Sequence, residues 1–314
     1  MKWLAALALA LFSLPLSAQS IAFISHLNGR YGSVSYDARV TAAVDTIIEL
    51  RPDAVISTGD MVAGQKTRLD STRLNQMWHA FNFAVADPLA RAGIPFAVAV
   101  GNHDGSAYPE YALDRAHFEA QWLTRSPPLD MLPGSEWPWR YVARHGPFLL
   151  VAFDSTQPGE LPDRERQFLE QALQRYGSGA TATIVYSHLP MWPVTRGREQ
   201  EIIDDHGLLE LLHRSGVDVY ASGHHHAYYA GVDESGMVHL SVGALGGNAR
   251  AFSGRLKAQP HSFALLTLEQ GAVKITSRAA PAFEDPVPLA QLPPTVSGPL
   301  GTLRRMEQPV RLRP

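Results

Sequence analysis

Residues 96 to 104 read Phe-Ala-Val-Ala-Val-Gly-Asn-His-Asp, so five apolar residues lead directly into four residues suited to turns and ligand binding. The run 96–100 has the composition of a short buried strand. Gly101 permits a tight turn, which leaves the three polar residues after it at the carboxyl end of that strand. In open α/β sheets, ligands gather at the carboxyl ends of strands. The stretch therefore predicts an α/β domain with a polar site at one edge of a sheet.

Four other apolar runs end in the same way. The polar residues that follow them are His26 with Asn28, Gly59 with Asp60, His188, and the run Gly223-His224-His225-His226. Alternate residues of an extended chain point the same way, so the pairs 26/28 and 224/226 each share a direction. His225 points elsewhere and is expected to pack within the protein. Five strand ends with residues of these types favour a shared metal site over chance placement.

Strands and helices alternate along the first half of the chain. Apolar runs typical of strands lie at 21–25, 54–58, 96–100, 148–153, 183–187, 217–222, 238–242, 263–268 and 273–276. Helical periodicity covers 38–51, 74–91, 164–176 and 208–215. Asp163 is the predicted N-cap of the third of these helices, and Gly177 is its predicted stop. The alternation, followed by closely spaced strands, predicts a layered α/β domain with a mixed sheet or a sandwich.

Two segments are less regular. Residues 105–146 contain Trp122, Trp137, Trp139 and Tyr141. They are interpreted either as a cap or substrate-facing insertion, or as a locally packed aromatic cluster. Residues 281–314 contain eight prolines and are predicted to form a proline-rich C-terminal tail, wrapped around the domain or mobile.

Composition excludes several classes of protein. The 314 residues are 45% hydrophobic and 18% charged, as in an ordinary globular protein. The formal net charge of −3 argues against a dedicated nucleic-acid binder, so no specific nucleic-acid partner is expected. The chain has 13 histidines and no cysteine. Zinc fingers, thiol nucleophiles, disulfides and iron–sulfur clusters are therefore excluded, and any metal must be bound by nitrogen and oxygen.

Residues 1–18 read MKWLAALALALFSLPLSA, with one early charge at Lys2 followed by an apolar stretch and small residues. This pattern predicts a secretory signal peptide that is cleaved after Ala18, and hence a periplasmic or secreted protein. An uncleaved anchor is the alternative, but the apolar run is shorter than the ~20 residues that a membrane span needs. No stable membrane anchor is therefore expected.

The order of the motifs resembles that of the calcineurin-like metallophosphoesterase family, which includes purple acid phosphatases. Members carry Asp-x-His, Gly-Asp, Gly-Asn-His-Asp/Glu, a lone His after a strand, and Gly-His-x-His. The last four motifs correspond to Gly59-Asp60, Gly101-Asn102-His103-Asp104, His188 and Gly223-His224-His225-His226. The resemblance covers residues 21–268. It implies a four-layer αββα sandwich with mixed sheets as a domain of residues 19–280.

The resemblance also implies roles for individual residues. Asp60 would bridge two metal ions (Mn, Fe or Zn), and the remaining ligands would be Asn102, His188 and His224 for one ion and His26, Asn28 and His226 for the other. A bridging hydroxide would hydrolyse a small-molecule phosphomonoester or phosphodiester. His103 would stabilise or protonate the leaving oxygen, with Asp104 orienting its ring. Arg196, Arg198 and Tyr31 are candidates for binding the substrate.

The first motif departs from the family pattern, because His26-Leu27-Asn28 stands in place of Asp-x-His. Asp60 is then the only carboxylate facing two dications, since imidazole is a competent ligand that brings no charge. Two hypotheses follow: His26 is a working ligand of a dinuclear enzyme, or the protein is a one-metal or metal/phosphate-binding pseudoenzyme without turnover. The sequence leaves substrate identity, metal identity and oligomeric state open.

Overall fold

A computed structural model describes residues 19–312. Its strands, in chain order, are β1 (Gln19–Ile24), β2 (Ala54–Ser57), β3 (Phe96–Val98), β4 (Asp130–Met131), β5 (Tyr141–His145), β6 (Phe148–Ala152), β7 (Ala182–Tyr186), β8 (Val219–Ser222), β9 (Tyr229–Val232), β10 (Val238–Ser241), β11 (Ser262–Glu269), β12 (Ala272–Ala279), β13 (Thr295–Gly298), β14 (Gly301–Arg305) and β15 (Val310–Arg311). Its α-helices are α1 (Ala38–Leu50), α2 (Ser71–Phe81), α3 (Asp87–Arg91), α4 (Asn102–Gly105), α5 (Ala112–Leu123), α6 (Asp163–Tyr176) and α7 (His206–Arg214).

The strands form two mixed sheets. The first sheet has the order β15-β12-β11-β1-β2-β3, and the second has the order β13-β14-β9-β10-β8-β7-β6-β5-β4. In the first sheet β1, β2 and β3 run parallel, with Ile21 opposite Ala54, and β11 is antiparallel to β1. In the second sheet β6, β7, β8 and β10 are parallel neighbours. The carboxyl ends of the parallel strands in each sheet therefore lie at one edge of that sheet.

Side-chain alternation explains how the layers pack. Ile21 and Phe23 of β1 contribute to the core that includes the second sheet, whereas Ala22 and Ile24 pack in the core that includes α1 and α2. Leu169 of α6 and Leu212 of α7 join the core of the second sheet. The order is thus helices, sheet, sheet, helices, and the predicted four-layer αββα sandwich is confirmed.

Three of the described helices begin at side-chain caps. Asp37, Asp70 and Asp205 each accept a backbone N–H in the first turn of α1, α2 and α7. The periodicity predicted at 74–91 corresponds to α2, a π-helical turn at 82–86 and α3. The prediction of Asp163 as the N-cap of α6 is wrong, because the helix begins at Asp163 itself. The N-cap is Pro162, which makes no side-chain capping bond. Gly177 is the C-cap, as predicted.

The segment 105–146 contains α5, β4 and β5, which the sequence did not predict. Trp122 on α5 is 2% exposed, and its ring contacts the rings of Trp78, Phe118 and Trp137. Trp137 in turn contacts Tyr141. These contacts agree with the interpretation of the segment as a locally packed aromatic cluster.

The C-terminal segment adds strands to both sheets. β14 pairs with β9 in the second sheet, and β15 pairs with β12 in the first. Val296 and Leu303 are buried in the core of the second sheet, and the Trp192 indole donates a hydrogen bond to the carbonyl of Gly301. Residues 281–312 are thus packed onto the same unit as residues 19–280.

The predicted signal peptide, residues 1–18, lies outside the described residues, and cleavage after Ala18 stays a prediction. Among residues 19–312, no helix is long and apolar enough to cross a bilayer.

Candidate metal centre

The ends of both sheets meet at one cluster of polar side chains. His26 follows β1, Asp60 follows β2, and Asn102 follows β3. From the second sheet, His188 follows β7, and His224 and His226 follow β8. The predicted strand-end residues therefore come together, although they are spread over 200 positions of the chain.

Four of these residues have left-handed backbones. The φ angles are 49° at His26, 59° at Asp60, 62° at His224 and 56° at His226. Side chains other than glycine rarely adopt this region, and such residues cluster at functional sites. The described chain holds eight non-glycine residues with positive φ, and half of them are in this cluster.

Two glycines allow the loops to touch. A Cβ built on Gly101 would lie 2.1 Å from the backbone nitrogen of Asp60, and one built on Gly223 would lie 2.2 Å from Oγ of Ser25. A side chain at position 101 would push the two loops apart, and one at position 223 would displace the side chains of Ser25 and Thr58. The glycines of the motifs are therefore required for close backbone approach.

Asn102, His188, His224 and Asp60 form the first group of possible ligands. The amide oxygen of Asn102 lies 2.8 Å from Nε2 of His188 and 3.0 Å from Nδ1 of His224. Those two ring nitrogens are 3.1 Å apart, and Nε2 of His188 lies 3.4 Å from Oδ1 of Asp60. All four side chains are buried.

The outer hydrogen bonds of the two histidines determine where their protons lie. Nδ1 of His188 is 2.7 Å from the carbonyl of Thr58, and Nε2 of His224 is 2.7 Å from the Glu201 carboxylate. Both partners can only accept, so each of these nitrogens is assigned the hydrogen, and at His224 the Glu201 oxygen at 2.7 Å is closer than the Arg198 donor at 3.1 Å. Burial lowers the pKa of both rings, which are therefore neutral near pH 7. Their inner nitrogens consequently present lone pairs.

The first group fits a metal ion. Lone pairs held 2.8 to 3.4 Å apart repel each other unless a cation lies between them. Four ligand atoms about 2.1 Å from a tetrahedral metal stand roughly 3.4 Å from one another. The donor set of two imidazoles, an amide oxygen and a carboxylate suits a first-row transition metal.

The second group of possible ligands contains His26, Asp60 and His226. Nδ1 of His26 lies 3.0 Å from Oδ2 of Asp60, and the rings of His26 and His226 are 3.8 Å apart between centroids. Burial lowers the pKa of His26 from 6.5 to about 3. Nδ1 of His226 contacts the carbonyl of Asn248 at 2.8 Å, which leaves its Nε2 without the hydrogen.

This second group also fits a metal ion. Nε2 of His26 has no hydrogen-bond partner within the described residues, and Nδ1 of His26 and Oδ2 of Asp60, 3.0 Å apart, have none there besides each other, although all three atoms are buried. Buried polar atoms without a partner are costly, and a metal ion between these atoms would satisfy them. Asn28 is buried nearby and donates its amide nitrogen to the carbonyl of Val62, so its oxygen is the atom left for ligation.

Asp60 is the carboxylate common to both groups. Burial by itself raises the pKa of this residue, but the surrounding histidines His188, His103 and His26 outweigh burial and hold the pKa well below its usual range. Asp60 is therefore ionised, and it offers one oxygen to each group.

His103 lies beside the cluster, and its side chain is 19% exposed. Its Nε2 is 3.9 Å from Oδ2 of Asp60, while Nδ1 faces the carbonyl of Gly64 at 3.3 Å. The ring of Tyr31 lies 5.2 Å away, as expected for a residue near the site.

Asp104 does not orient the His103 ring, and that prediction is wrong. Its two carboxylate oxygens accept the backbone N–H groups of Asp60, Met61, Val62 and Gly101 at 2.8 to 3.0 Å. Burial, followed by the charge of Asp60, raises the pKa of Asp104, while these N–H groups favour the charged form. Asp104 therefore holds the loop that presents Asp60.

Of the two candidate arginines, Arg198 reaches the cluster. Its Nη1 lies 3.1 Å from Nε2 of His224 and forms an ion pair with Glu201. Arg196 is exposed, and its backbone N–H bonds the carbonyl of Ala251. His225 packs within the protein as predicted, since its ring accepts from the N–H of Val194 and contacts the carbonyl of Glu201.

Three residues of the site were missed by the sequence analysis. Glu201 bonds His224, and Gln65 bonds Asn102. Arg250 lies near Arg198, whose charge helps to lower the pKa of Arg250, and the buried Nε of Arg250 has no hydrogen-bond partner among the described residues. None of the three belongs to a motif, and no local spacing could have identified them.

Comparisons with known proteins agree with this architecture. Among solved structures, the chain is similar to purple acid phosphatase PPD1 from yellow lupin (Lupinus luteus) seeds, with a TM-score of 0.66 and 16% identity over 84% of this chain and 52% of that one. It is also similar to a dimetal phosphatase from Danio rerio (TM-score 0.54, 15% identity, 83% and 96% covered). A third similar structure is GAP50, the anchor in the inner membrane complex of Plasmodium (TM-score 0.55, 14% identity, 95% and 90% covered).

At these identities the likeness concerns the fold alone, and the chain spans about half the length of the lupin protein. No match was found among curated proteins. The family model of calcineurin-like phosphoesterases matches residues 22–228, a range that includes every motif from His26 to His226. The chain therefore belongs to the calcineurin-like phosphoesterase family.

Proposed function

We propose that this protein hydrolyses a small phosphomonoester or phosphodiester with two metal ions that share Asp60. The observation that carries the proposal is the pair of buried donor groups that meet at Asp60, each with ring nitrogens and carboxylate oxygens close enough to share one ion. The ions would be held by Asp60 with Asn102, His188 and His224, and by Asp60 with His26, Asn28 and His226. Manganese, iron and zinc all suit these ligands.

When bound, two such ions supply positive charge to the phosphoryl oxygens and lower the pKa of a water molecule. The protein's own residues then position the substrate. His103 is the residue proposed to hold or transfer a proton at the leaving oxygen, because its Nδ1 faces a carbonyl and its Nε2 faces the centre. Its side chain is 19% exposed, so a substrate can approach the ring.

Charged groups at the rim favour an anionic substrate. Arg198 is paired with Glu201 and lies against His224. Burial, and then the nearby charge of Arg198, lower the pKa of Arg250, which places Arg250 close to Arg198. Two guanidinium groups thus share one carboxylate, which leaves positive charge for a phosphate. Tyr31 is proposed to line the same opening beside His103.

An exported location is part of the proposal and is supported by the sequence of residues 1–18. The partner expected there is a small phosphoester. Neither a nucleic acid nor a membrane is proposed as a partner, because the chain's net charge is slightly negative.

The experiment is metal content per chain after refilling with manganese, iron or zinc, combined with hydrolysis of p-nitrophenyl phosphate and bis(p-nitrophenyl) phosphate. Close to two metals per chain and turnover of either ester are expected. Asp60→Asn should lose both metals, since this residue serves both groups. A metal-loaded wild-type protein without turnover of either ester would refute the enzymatic proposal.

The alternative of a one-metal protein without turnover rests on the missing carboxylate of the first motif. Glu201 does not restore that charge, because its ion pair with Arg198 is neutral in sum. His26→Asp separates the two hypotheses. A loss of activity is expected if the imidazole is a working ligand, whereas a large gain in activity and in metal content would favour the one-metal alternative.

A further inference from the structure

Asn102 has a side chain that can present either of two chemically opposite ends. Its amide oxygen is an electron-pair donor for a cation, while its amide nitrogen carries two hydrogens and cannot be a ligand. In the structure Oδ1 faces His188 and His224. Something must therefore keep the amide from rotating by 180°.

Gln65 supplies that constraint. Its Oε1 accepts a hydrogen bond of 2.7 Å from Nδ2 of Asn102. An amide turned the other way would place Oδ1 against Oε1, so that two acceptors would face each other. With Oε1 of Gln65 toward Asn102, as the structure places it, the orientation with Oδ1 toward the histidines is the favoured one, and the opposite orientation would require both amides to turn.

The backbone of Gln65 is itself held in place. Its N–H donates to Oδ1 of Asp114 on α5 at 2.9 Å, and its φ angle of 64° is in the left-handed region. The preceding Gly64 donates its N–H to the carbonyl of His103, and a Cβ there would lie 2.2 Å from Asp114. These backbone contacts hold the start of the Gln65 side chain beside Asn102.

We propose that Gln65 is a positioning residue that fixes the amide of Asn102 with its oxygen toward the metal ion. The proposal rests on the proposed function, because it gives Asn102 a ligand role. Outer hydrogen-bond partners of metal ligands orient them, and their loss typically costs about 10–100-fold in metal affinity.

The test is calorimetric titration of the metal-free full-length protein with Mn²⁺. Gln65→Gly removes the side chain and relieves the left-handed backbone, so folding is preserved. Gln270→Gly is the matched control, because Gln270 is an exposed glutamine with a φ angle of 51° in the β11–β12 turn. In Gln65→Gly the dissociation constant of one Mn²⁺ should rise about tenfold or more. In Gln270→Gly neither of the two Mn²⁺ dissociation constants should change.

Gln65→Glu provides the rescue, since a carboxylate oxygen accepts the same hydrogen bond and should keep the Mn²⁺ affinity at or above that of the wild type. Unchanged affinities in Gln65→Gly, or an equal loss in Gln65→Glu, would overturn the positioning role. Binding by the wild type without ester hydrolysis would refute the enzymatic proposal and leave this one standing. A wild-type protein that binds none of Mn²⁺, Fe²⁺ and Zn²⁺ would overturn both.

Discussion

Asp104 is a buried carboxylate that organises the site through backbone N–H groups and not through the histidine rings. Each of its two oxygens accepts two backbone N–H groups. Asparagine in its place has one acceptor oxygen, so two of the four N–H groups would lose their acceptor. We expect Asp104→Asn to lower the free energy of unfolding of the metal-free protein by about 3 kcal/mol. Urea denaturation measures this loss. Unchanged stability with an altered pH profile of hydrolysis would instead support the ring-orienting role.

Single residues of the site were predictable where a motif holds them. The donors from His26 to His226 sit at strand ends, and strand ends meet because the strands are parallel. Glu201 and Gln65 could not be found in this way, because they reach their partners across 23 and 37 residues. The role of Asp104 was misjudged because α4 starts at Asn102, which turns that carboxylate toward the N–H groups ahead of the helix.

Between elements, Asp233 ties the turn after β9 to α7 and β10. Its Oδ2 lies 2.8 Å from Nε2 of His213 and 2.9 Å from Nε2 of His239, and its Oδ1 accepts from Ser235 and Met237. Burial alone would raise the pKa of Asp233, but the hydrogen bonds from His239, Ser235 and His213 outweigh burial and hold it below 3.8.

The pH dependence that follows has a definite sign. As the pH falls below 3.8, the unfolded chain binds the Asp233 proton before the folded one does, so this stabilisation is present above that pH and lost below it. Asp233→Asn should cost about 2 kcal/mol near pH 7, and its difference from the wild type should shrink between pH ~4 and ~2. Urea denaturation at each pH measures the difference, and a constant difference would contradict the assignment.

Most strands were predicted because apolar runs bounded by turn residues mark them well. Helix α5 was missed because its buried face consists of Asp114, Phe118 and Trp122. A charged residue on that face interrupts the hydrophobic period, and Asp114 is buried because it accepts from the N–H of Gln65. Local patterns do not contain that tertiary contact.

The C-terminal strands allow a prediction about the domain boundary at residue 280. A chain ending there would expose the edge of β9 and lose the buried Val296 and Leu303. Exposed edges and lost apolar burial both destabilise a sheet. We expect the shortened chain to melt at a temperature lower by 10 °C or more, or to aggregate. Thermal denaturation of both chains measures this, and an equal melting temperature would show that the domain is complete at residue 280.

In the molecule as a whole, the proposed metal ions would join the two sheets. One group of donors takes Asp60 and Asn102 from the first sheet and His188 and His224 from the second. Because the unfolded chain holds no such arrangement, metal binding would stabilise the folded state by about 2.7 kcal/mol at 100 times the dissociation constant. Chelation should therefore lower the melting temperature by several degrees, in proportion to the logarithm of the metal concentration.

Asp60→Asn separates this effect from nonspecific ion binding, because asparagine keeps the acceptor for the His103 N–H but removes the charge shared by both groups. The melting temperature of this variant should respond little to Mn²⁺ or to chelator, while that of the wild type rises and falls with them. Differential scanning calorimetry across a range of Mn²⁺ concentrations measures both curves. Parallel curves would mean that the ions act away from Asp60, and the two sheets would then be joined by their apolar core alone.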